Sequence, residues 1–185
     1  MSKQEKYGLL CRQVESLAAG EANVMGVLAN VSAAMKTMFP EEFFWVGFYL
    51  VSPSRREGLG SDAALQRSNG SKVSSMGGDL KGALFLGPFQ GTVACYEIPY
   101  GKGVCGTAWK ERRTLVVPDV EAFPGHIACS SLSRSEVVVP MFDEGGNVWG
   151  VIDIDSTELN TFDEVDAEYL EKIAKILSKE LHGLI

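Results

Sequence analysis

The sequence EVVVPMFDEGGNVWGVIDID, residues 136–155, carries the clearest structural pattern in the chain. Two runs rich in β-branched residues lie on either side of DEGG, which favours a tight turn, so the stretch predicts a β-hairpin of strands 136–142 and 147–155. Side chains alternate between the two faces of a strand. On the second strand this alternation predicts one shared face for Trp149, Val151, Asp153 and Asp155.

Asp153 and Asp155 are the first candidate binding residues. Two carboxylates on one face, at the end of an apolar strand, repel each other and are costly to bury unless a cation pairs with them. An incoming ammonium group would relieve this repulsion. The alternative is a solvated strand end at which Asp155 caps the next turn.

The remaining segments complete an α+β pattern. Apolar spacing and capping residues predict helices over residues 5–19, 23–38, 104–112 and 163–181. Aromatic and β-branched runs predict further strands over residues 43–51, 83–87, 92–98 and 114–117. Strands between terminal helices favour a central antiparallel sheet with the N- and C-terminal helices packed on one face. The other face would then carry a pocket covered by loops.

Residues 52–82 differ in composition from the rest of the chain. They are rich in Ser, Gly and charged residues and show no sustained hydrophobic period. Because a strand pattern resumes at residue 83, we interpret this segment as a low-complexity insertion in a hairpin. The chain of 185 residues is then a single domain, residues 1–185, with the insertion at about 52–82.

Composition and charge argue against several classes of function. The chain is 45% hydrophobic and 22% charged, which is ordinary for a globular protein. Its net charge is -7 and no basic stripe is present, which disfavours a nucleic-acid partner. The N-terminus lacks the apolar core of a signal peptide, and no apolar run approaches the roughly 18 residues needed to cross a bilayer. We therefore expect a cytoplasmic protein with no membrane partner.

Three of the four cysteines lie in segments rich in Gly, Pro and polar residues, namely Cys95, Cys105 and Cys129. These loop-like settings suit reactive thiols, whereas inert cysteines usually lie in apolar runs. His126 and unpaired backbone N–H groups near Cys129 would favour its thiolate. The glycines between Cys95 and Cys105 would let a second cysteine swing toward a sulfenic acid. Cys11 lies on a helix stripe, as expected for packing.

Two further residues fit the same pocket. Glu136, seven positions after Cys129, is within reach of it, although a solvated strand start is the alternative. Trp45 is either a core residue or an apolar wall for a thioether-like side chain, since sulfur packs well against aromatic rings. His126 with the three loop cysteines also gives a Cys₃His set for zinc. Because no C-x-x-C knuckle is present, we expect no metal.

The surroundings of these residues are similar to those in a known family. The segments LGPFQGTVAC, IPYGKGVCGTAW, VPDVEAFPGHIACSS, SEVVVPMF and GVIDIDS resemble the free methionine-(R)-sulfoxide reductases, which are GAF-domain enzymes. The resemblance runs from about residue 43 to the end, apart from residues 52–82. It implies a GAF-like fold and an oxidoreductase that reduces free L-methionine (R)-sulfoxide to L-methionine, as antioxidant repair.

The resemblance also implies a role for each candidate residue. Cys129 matches the nucleophile, Cys95 the main resolving cysteine and Cys105 a further recycling cysteine. Trp45 matches the aromatic wall of the substrate pocket. The acidic substrate-binding cluster matches Glu136, Asp153 and Asp155.

The implied chemistry uses thiols, with no metal or organic cofactor. The nucleophilic thiolate becomes a sulfenic acid, a second cysteine converts it to a disulfide, and thioredoxin supplies the electrons for recycling. The residues alone leave open whether Cys95 or Cys105 resolves first, and the R preference comes only from the resemblance. Because GAF domains often pair through terminal helices, we also expect a homodimer.

Three other functions are compatible with parts of the pattern. A GAF module that senses a small molecule or redox state would bind without turnover. A zinc-stabilised module would contain metal after purification. A peroxide reductase would use the cysteines but would leave the three acids without a role.

Overall fold

Six strands of the described residues form one antiparallel sheet. The structure, a computed structural model, describes residues 1–51, 82–127 and 129–185. The strands are β1 (Trp45–Val51), β2 (Ala83–Gln90), β3 (Glu97–Pro99), β4 (Leu115–Val117), β5 (Ser135–Phe142) and β6 (Val148–Ser156). Their order across the sheet is β3-β2-β1-β6-β5-β4. The predicted β5–β6 hairpin is confirmed, and it lies between β1 and β4.

The helices begin and end within two residues of their predicted limits. They are α1 (Lys3–Ala18), α2 (Val24–Met38), α3 (Gly103–Glu111) and α4 (Glu164–Glu180). Two of the predicted caps are formed: Asn23 accepts a hydrogen bond from the Gly26 N–H, and Asp163 accepts from two N–H groups in the first turn of α4. Such caps satisfy backbone donors that the helix itself leaves free.

The two terminal helices are held together by a buried carboxylate. Asp166 of α4 accepts a hydrogen bond of 2.7 Å from the hydroxyl of Tyr7 in α1. The ammonium of Lys3 lies 2.5 Å from the same carboxylate. Because Asp166 is almost fully buried, these two partners satisfy a charge that would otherwise be costly to bury.

Hydrophobic cores lie on both faces of the sheet. On one face α1, α2 and α4 pack over side chains that include Val46, Ile152 and Ile154. On the other face α3 and the loops cover side chains that include Tyr49 and Val151. The prediction of an α+β fold with the terminal helices on one face is therefore confirmed.

A β-bulge in β6 overturns the predicted orientation of Trp149. The register between β5 and β6 shifts between Met141 and Phe142, which leaves Trp149 as the extra residue on β6. Its side chain consequently packs in the helix-side core, where its Nε1–H donates to the hydroxyl of Ser178 at 3.0 Å. The predicted alternation of side chains along β6 therefore holds only after the bulge, from Gly150 to Asp155.

The predicted strand 92–98 is wrong except at its end. Of these residues only Glu97 and Ile98 pair with β2, as part of β3. The preceding residues form a loop because side chains of β1 bind the backbone carbonyls of Thr92 and Cys95. Those carbonyls are consequently not used in a strand ladder.

Most of the predicted insertion lies outside the described residues, which omit residues 52–81. Its flanks are described, and Val51 pairs with Leu84 in the antiparallel β1–β2 pair. The hairpin around the segment is confirmed, whereas the single domain with a low-complexity insertion stays a prediction. Within the described part of the chain, no helix has both the length and the apolar character required to span a membrane.

Candidate active site

Glu136, Asp155 and Trp45 lie side by side on the pocket face of the sheet. Glu136 on β5 pairs directly with Asp155 on β6, and Asp155 pairs directly with Trp45 on β1. Directly opposed residues of antiparallel neighbours point to the same face. The strand register therefore joins three residues, singled out separately in the sequence, into one row across the floor of a pocket.

Asp153 lies next to this row and is deeply buried. It pairs with Gly47 on β1 and is 6% exposed, so the alternative of a solvated strand end is wrong for this residue. Its Oδ1 atom has no hydrogen-bond partner among the described residues. Because buried polar atoms are normally satisfied, this oxygen marks a place for a donor that the chain itself does not supply.

The three carboxyl groups share a poorly hydrated space. Burial raises the pKa of Asp153 to about 6. The pKa values of Glu136 and Asp155 lie well above their usual range, first because of burial and then because of neighbouring carboxylates. Groups this close titrate together, and a bound cation would favour their ionised forms.

Cys105 lies in α3, within the predicted helix 104–112, and not in the loop-like setting expected of a reactive thiol. It is the third residue of α3, it is 3% exposed, and its thiol lies 3.9 Å from Oε1 of Glu136. Burial and the nearby carboxylates Asp153 and Glu136 raise the pKa of this thiol well above its usual range. The structure therefore places Cys105 with the acids at the base of the pocket.

The aromatic side chains of β1 hold the loop over the pocket. The indole Nε1–H of Trp45 donates to the carbonyl oxygen of Thr92 at 3.0 Å. The hydroxyl of Tyr49 donates to the carbonyl oxygen of Cys95, also at 3.0 Å. The floor of the pocket and the backbone that carries Cys95 are consequently linked by side-chain hydrogen bonds.

Two glycines leave room for the indole of Trp45. A Cβ atom at Gly47 would lie 2.7 Å from Cη2 of Trp45 and would also collide with Phe89. A Cβ atom at Gly91, where φ is +142°, would lie 2.5 Å from Cδ1 of the same ring. The indole stacks on Phe89 with 5.2 Å between ring centroids, so its position is fixed from several sides.

Cys95 and Cys129 are joined by a disulfide, with their Cα atoms 5.3 Å apart. This is the pairing that the resemblance implies. Both residues are half-buried. Two sulfurs of the Cys₃His zinc set are thus bonded to each other, so that set is not formed in this structure.

His126 lies at the rim of the same pocket. Burial lowers the pKa of its imidazole below the usual value. In this disulfide form the imidazole therefore favours its neutral state, and the support of a Cys129 thiolate by His126 stays a prediction.

A small cavity separates the disulfide from the acids. It is lined by residues of both groups, including Cys129, Glu136, Asp153, Asp155 and Trp45. Its volume is about 30 Å³, which is room for roughly two water molecules. Small-molecule pockets are typically about 300–1,000 Å³. In the disulfide form the cavity is therefore too small for an amino acid.

Tyr49 and Ser133 are among the pocket-lining residues that sequence reasoning did not single out. Tyr49 lies two positions after Trp45 on the same strand face, so the alternation of β1 is a pattern that would have found it. Ser133 also lines the pocket, and its side chain forms a hydrogen bond with Asp155 that partly opposes the rise in the pKa of that carboxyl. No sequence feature distinguishes Ser133 from the other serines around it.

An antiparallel sheet with terminal helices on one face and a loop-covered pocket on the other is the arrangement that the resemblance implies. The family model of the GAF domain matches residues 45–181, which include every strand of the sheet. The protein belongs to the GAF domain family.

Relatives along the full chain narrow this assignment. GAF domain-containing protein A of Dictyostelium discoideum is 49% identical over 176 residues, which cover 95% of this chain and 92% of the relative. The free methionine-R-sulfoxide reductase of Saccharomyces cerevisiae is 37% identical over 182 residues, 97% of this chain and 87% of the relative. A structure of the free methionine-R-sulfoxide reductase of Neisseria meningitidis in complex with its substrate has 44% identity and a TM-score of 0.79, covering 97% of this chain and 90% of that one. Within the GAF domain family, the chain belongs with the free methionine-R-sulfoxide reductases.

Proposed function

We propose that the protein reduces free L-methionine (R)-sulfoxide to L-methionine, with Cys129 as the nucleophile. The observation that carries the proposal is a single cavity lined by Cys129, which is bonded to Cys95, and by the acids Glu136, Asp153 and Asp155. A nucleophilic thiol, a second thiol and an anionic binding site are the parts that this reduction requires. The relatives named for the same reduction support this substrate.

The acids select a free amino acid. The substrate ammonium lies between Asp153 and Asp155 and donates to the Oδ1 atom of Asp153 that lacks a partner among the described residues. The methyl end of the substrate packs against the ring of Trp45. A methionine sulfoxide within a protein brings no ammonium and would leave the buried carboxylates unpaired, a mismatch that discriminates strongly.

The first chemical step transfers the sulfoxide oxygen to a cysteine. The Cys129 thiolate attacks the sulfoxide sulfur, the oxygen takes up a proton, and the oxygen is then transferred to the cysteine. Methionine leaves, and Cys129 becomes a sulfenic acid. The sulfur of the substrate is reduced by two electrons and the sulfur of Cys129 is oxidised by two.

Glu136 is the proton donor in this step. Its pKa lies well above the usual value, mainly because of burial, and this favours the protonated carboxyl that a proton donor requires. It also lies in the same cavity as Cys129. If Glu136→Gln kept full turnover at every pH, this assignment would be wrong.

The second step forms the disulfide and the third removes it. The Cys95 thiol condenses with the sulfenic acid of Cys129, releasing water and giving the bond present in this structure. A thioredoxin dithiol then reduces the bond by exchange, returning two thiols and leaving thioredoxin oxidised. Cys105 serves as a further recycling thiol, and no metal or organic cofactor takes part.

The decisive test is NADPH consumption in the presence of thioredoxin and thioredoxin reductase. Free methionine (R)-sulfoxide should be turned over, whereas the S epimer and the N-acetylated R sulfoxide should not. Absence of turnover with all three, from folded and fully reduced protein, would instead favour a GAF sensor. Light scattering would test the homodimer expected from pairing through the terminal helices.

A further inference from the structure

Three possible metal ligands meet at the base of the pocket. The Sγ of Cys105, a carboxylate oxygen of Glu136 and a carboxylate oxygen of Asp153 all lie within 4.8 Å of one another. They come from three different elements, α3, β5 and β6. All three residues are less than one tenth exposed. The fold therefore brings together a soft sulfur donor and two hard oxygen donors in a protected place.

The spacing suits a small tetrahedral ion. With Zn–S near 2.3 Å and Zn–O near 2.0–2.2 Å, one sulfur and several oxygen ligands in a tetrahedron lie about 3.3–3.7 Å apart. The Cys105 sulfur lies 3.9 Å from Oε1 of Glu136, and no two of the three ligand atoms are more than 4.8 Å apart, so side-chain movements on the order of 1 Å would complete the geometry. A thiolate ligand favours zinc over magnesium or calcium, which take oxygen ligands.

A second observation indicates a missing ligand at this place. The Oδ1 atom of Asp153 is buried and has no hydrogen-bond partner among the described residues. The adjoining cavity of about 30 Å³ has room for an ion with a water molecule as fourth ligand. An ion is thus small enough for the closed disulfide form, from which an amino acid is excluded.

We propose that Zn²⁺ binds Cys105, Glu136 and Asp153, and that it competes there with the ammonium group of the substrate. Binding releases the thiol proton of Cys105 to solvent, together with any proton held by the carboxyls. The ion occupies the closed disulfide form and blocks the reduced enzyme, so that zinc is an inhibitor and not a cofactor of the reaction. The competition rests on the proposed function, whereas the metal site does not.

The metal site is tested with Co²⁺ as a spectroscopic probe on the disulfide form of the full chain. In that form the free thiols are Cys11 and Cys105, and Cys11→Ser removes the first of them. This variant should bind one Co²⁺, with a thiolate-to-metal charge-transfer band that Zn²⁺ displaces. The further change Cys105→Ser should abolish the band and weaken Zn²⁺ binding more than about 100-fold, since even loss of outer-shell partners costs about 10–100-fold.

The carboxylate ligands are tested in the same way. Glu136→Gln and Asp153→Asn should each weaken Co²⁺ binding, whereas Glu97→Gln, a change at an exposed acid on β3, should not. A band that survives in a folded Cys105→Ser variant would overturn the proposal. So would the absence of any band in the folded Cys11→Ser protein.

A test of the competition requires a protein whose pocket is open, and a measurement other than catalytic turnover. In a Cys11→Ser, Cys95→Ser, Cys129→Ser protein no disulfide forms and Cys105 is the remaining thiol. Free methionine sulfoxide at saturation should lower its Co²⁺ affinity at least tenfold, and N-acetylated methionine sulfoxide should not. If the Co²⁺ affinity stayed unchanged, the competition and the proposed position of the substrate ammonium would both be wrong, whereas the metal site itself would be supported. A failure of catalytic turnover, in contrast, leaves the charge-transfer band unaffected.

Discussion

The hydroxyl of Tyr49 donates a 3.0 Å hydrogen bond to the carbonyl oxygen of Cys95, and this bond ties the pocket floor to the loop of the second cysteine. Tyr49 also lines the cavity in which we place the substrate. The position of the Cys95 sulfur relative to Cys129 therefore depends in part on a side chain of the sheet. Removing this hydrogen bond should affect the closing of the disulfide more than the binding of substrate.

Tyr49→Phe should slow disulfide formation about fivefold, since one hydrogen bond contributes about 1 kcal/mol. The KM for free methionine sulfoxide should change little, because the ring remains. Rapid quenching with a sulfenic acid trap, followed by mass mapping of Cys129, measures the step. Tyr96→Phe is the matched control, since its side chain is 85% exposed. Equal rates in the two variants would show that the Tyr49 hydroxyl has no positioning role.

Asp153→Asn should reduce kcat/KM for the free sulfoxide about 10- to 150-fold, through a higher KM. The expected loss corresponds to about 1.5–3 kcal/mol for a hydrogen bond to a charged group. Activity toward the N-acetylated sulfoxide should fall far less, so that the preference for the free amino acid shrinks. Steady-state kinetics with both substrates measures this, and Glu97→Gln should leave the preference as it is.

The raised pKa of Asp153 predicts a pH-dependent cost to stability. In the folded protein the pKa is about 6, against about 3.9 for an unperturbed aspartate. The group favours the folded state below pH 4, and that contribution is lost as the pH rises through 6. Relative to the native protein, Asp153→Asn should therefore gain stability between pH 4 and pH 8, by up to about 3 kcal/mol.

Urea unfolding of the disulfide form at both pH values gives this difference directly. The comparison between variants is needed because Asp163, whose pKa is lowered by its hydrogen bonds to Lys3, has the opposite pH dependence. Glu97→Gln should show no such pH-dependent difference. A gain that is the same at both pH values would contradict the raised pKa.

Gly47→Ala should displace the indole of Trp45. The new Cβ would lie 2.7 Å from Cη2 of the ring, and it would also meet Phe89. We expect a loss of about 1–3 kcal/mol in stability, typical of overpacking, and a higher KM. Thermal unfolding and kinetics measure the two effects. Gly8→Ala is the control, because a Cβ there would lie 3.9 Å from Nη1 of Arg12, which is an ordinary contact distance.

Local patterns in the sequence predicted the elements of the fold because those patterns are themselves the physical cause. DEGG permits the tight turn of the β5–β6 hairpin, and Asn23 and Asp163 cap their helices with side chains visible in the sequence. Alternation likewise placed Asp153 and Asp155 on one face, where both now line the cavity.

The features that sequence reasoning missed depend on contacts between distant residues. The loop before β3 is held by Trp45 and Tyr49, which lie more than 40 residues away in the sequence. The burial of Cys105 follows from how α3 packs against the sheet. At the bulge, the Trp149 side chain donates a hydrogen bond to Ser178 and packs in the helix-side core. The alternation of side chains along a strand gives no information about either contact.

Trp149→Phe should lower stability without altering the chemistry. The change leaves the Ser178 hydroxyl without its indole donor and removes part of a buried ring, at a cost of about 1–3 kcal/mol. Because Trp149 packs on the face opposite the acids, kcat/KM should stay within about twofold. Chemical unfolding and steady-state kinetics on the same preparation separate the two. A tenfold loss of kcat/KM in the folded variant would show that the faces are coupled.

The bulge at Trp149 also separates Asp153 and Asp155 from the turn of the β5–β6 hairpin. On the acid side of the bulge, β6 is aligned with β1 without interruption, from Gly150 to Asp155, as well as with β5. The pairing on both sides therefore fixes the register of Asp153 and Asp155 independently of the turn. The turn can vary in length and sequence while Asp153 and Asp155 keep facing the cysteines.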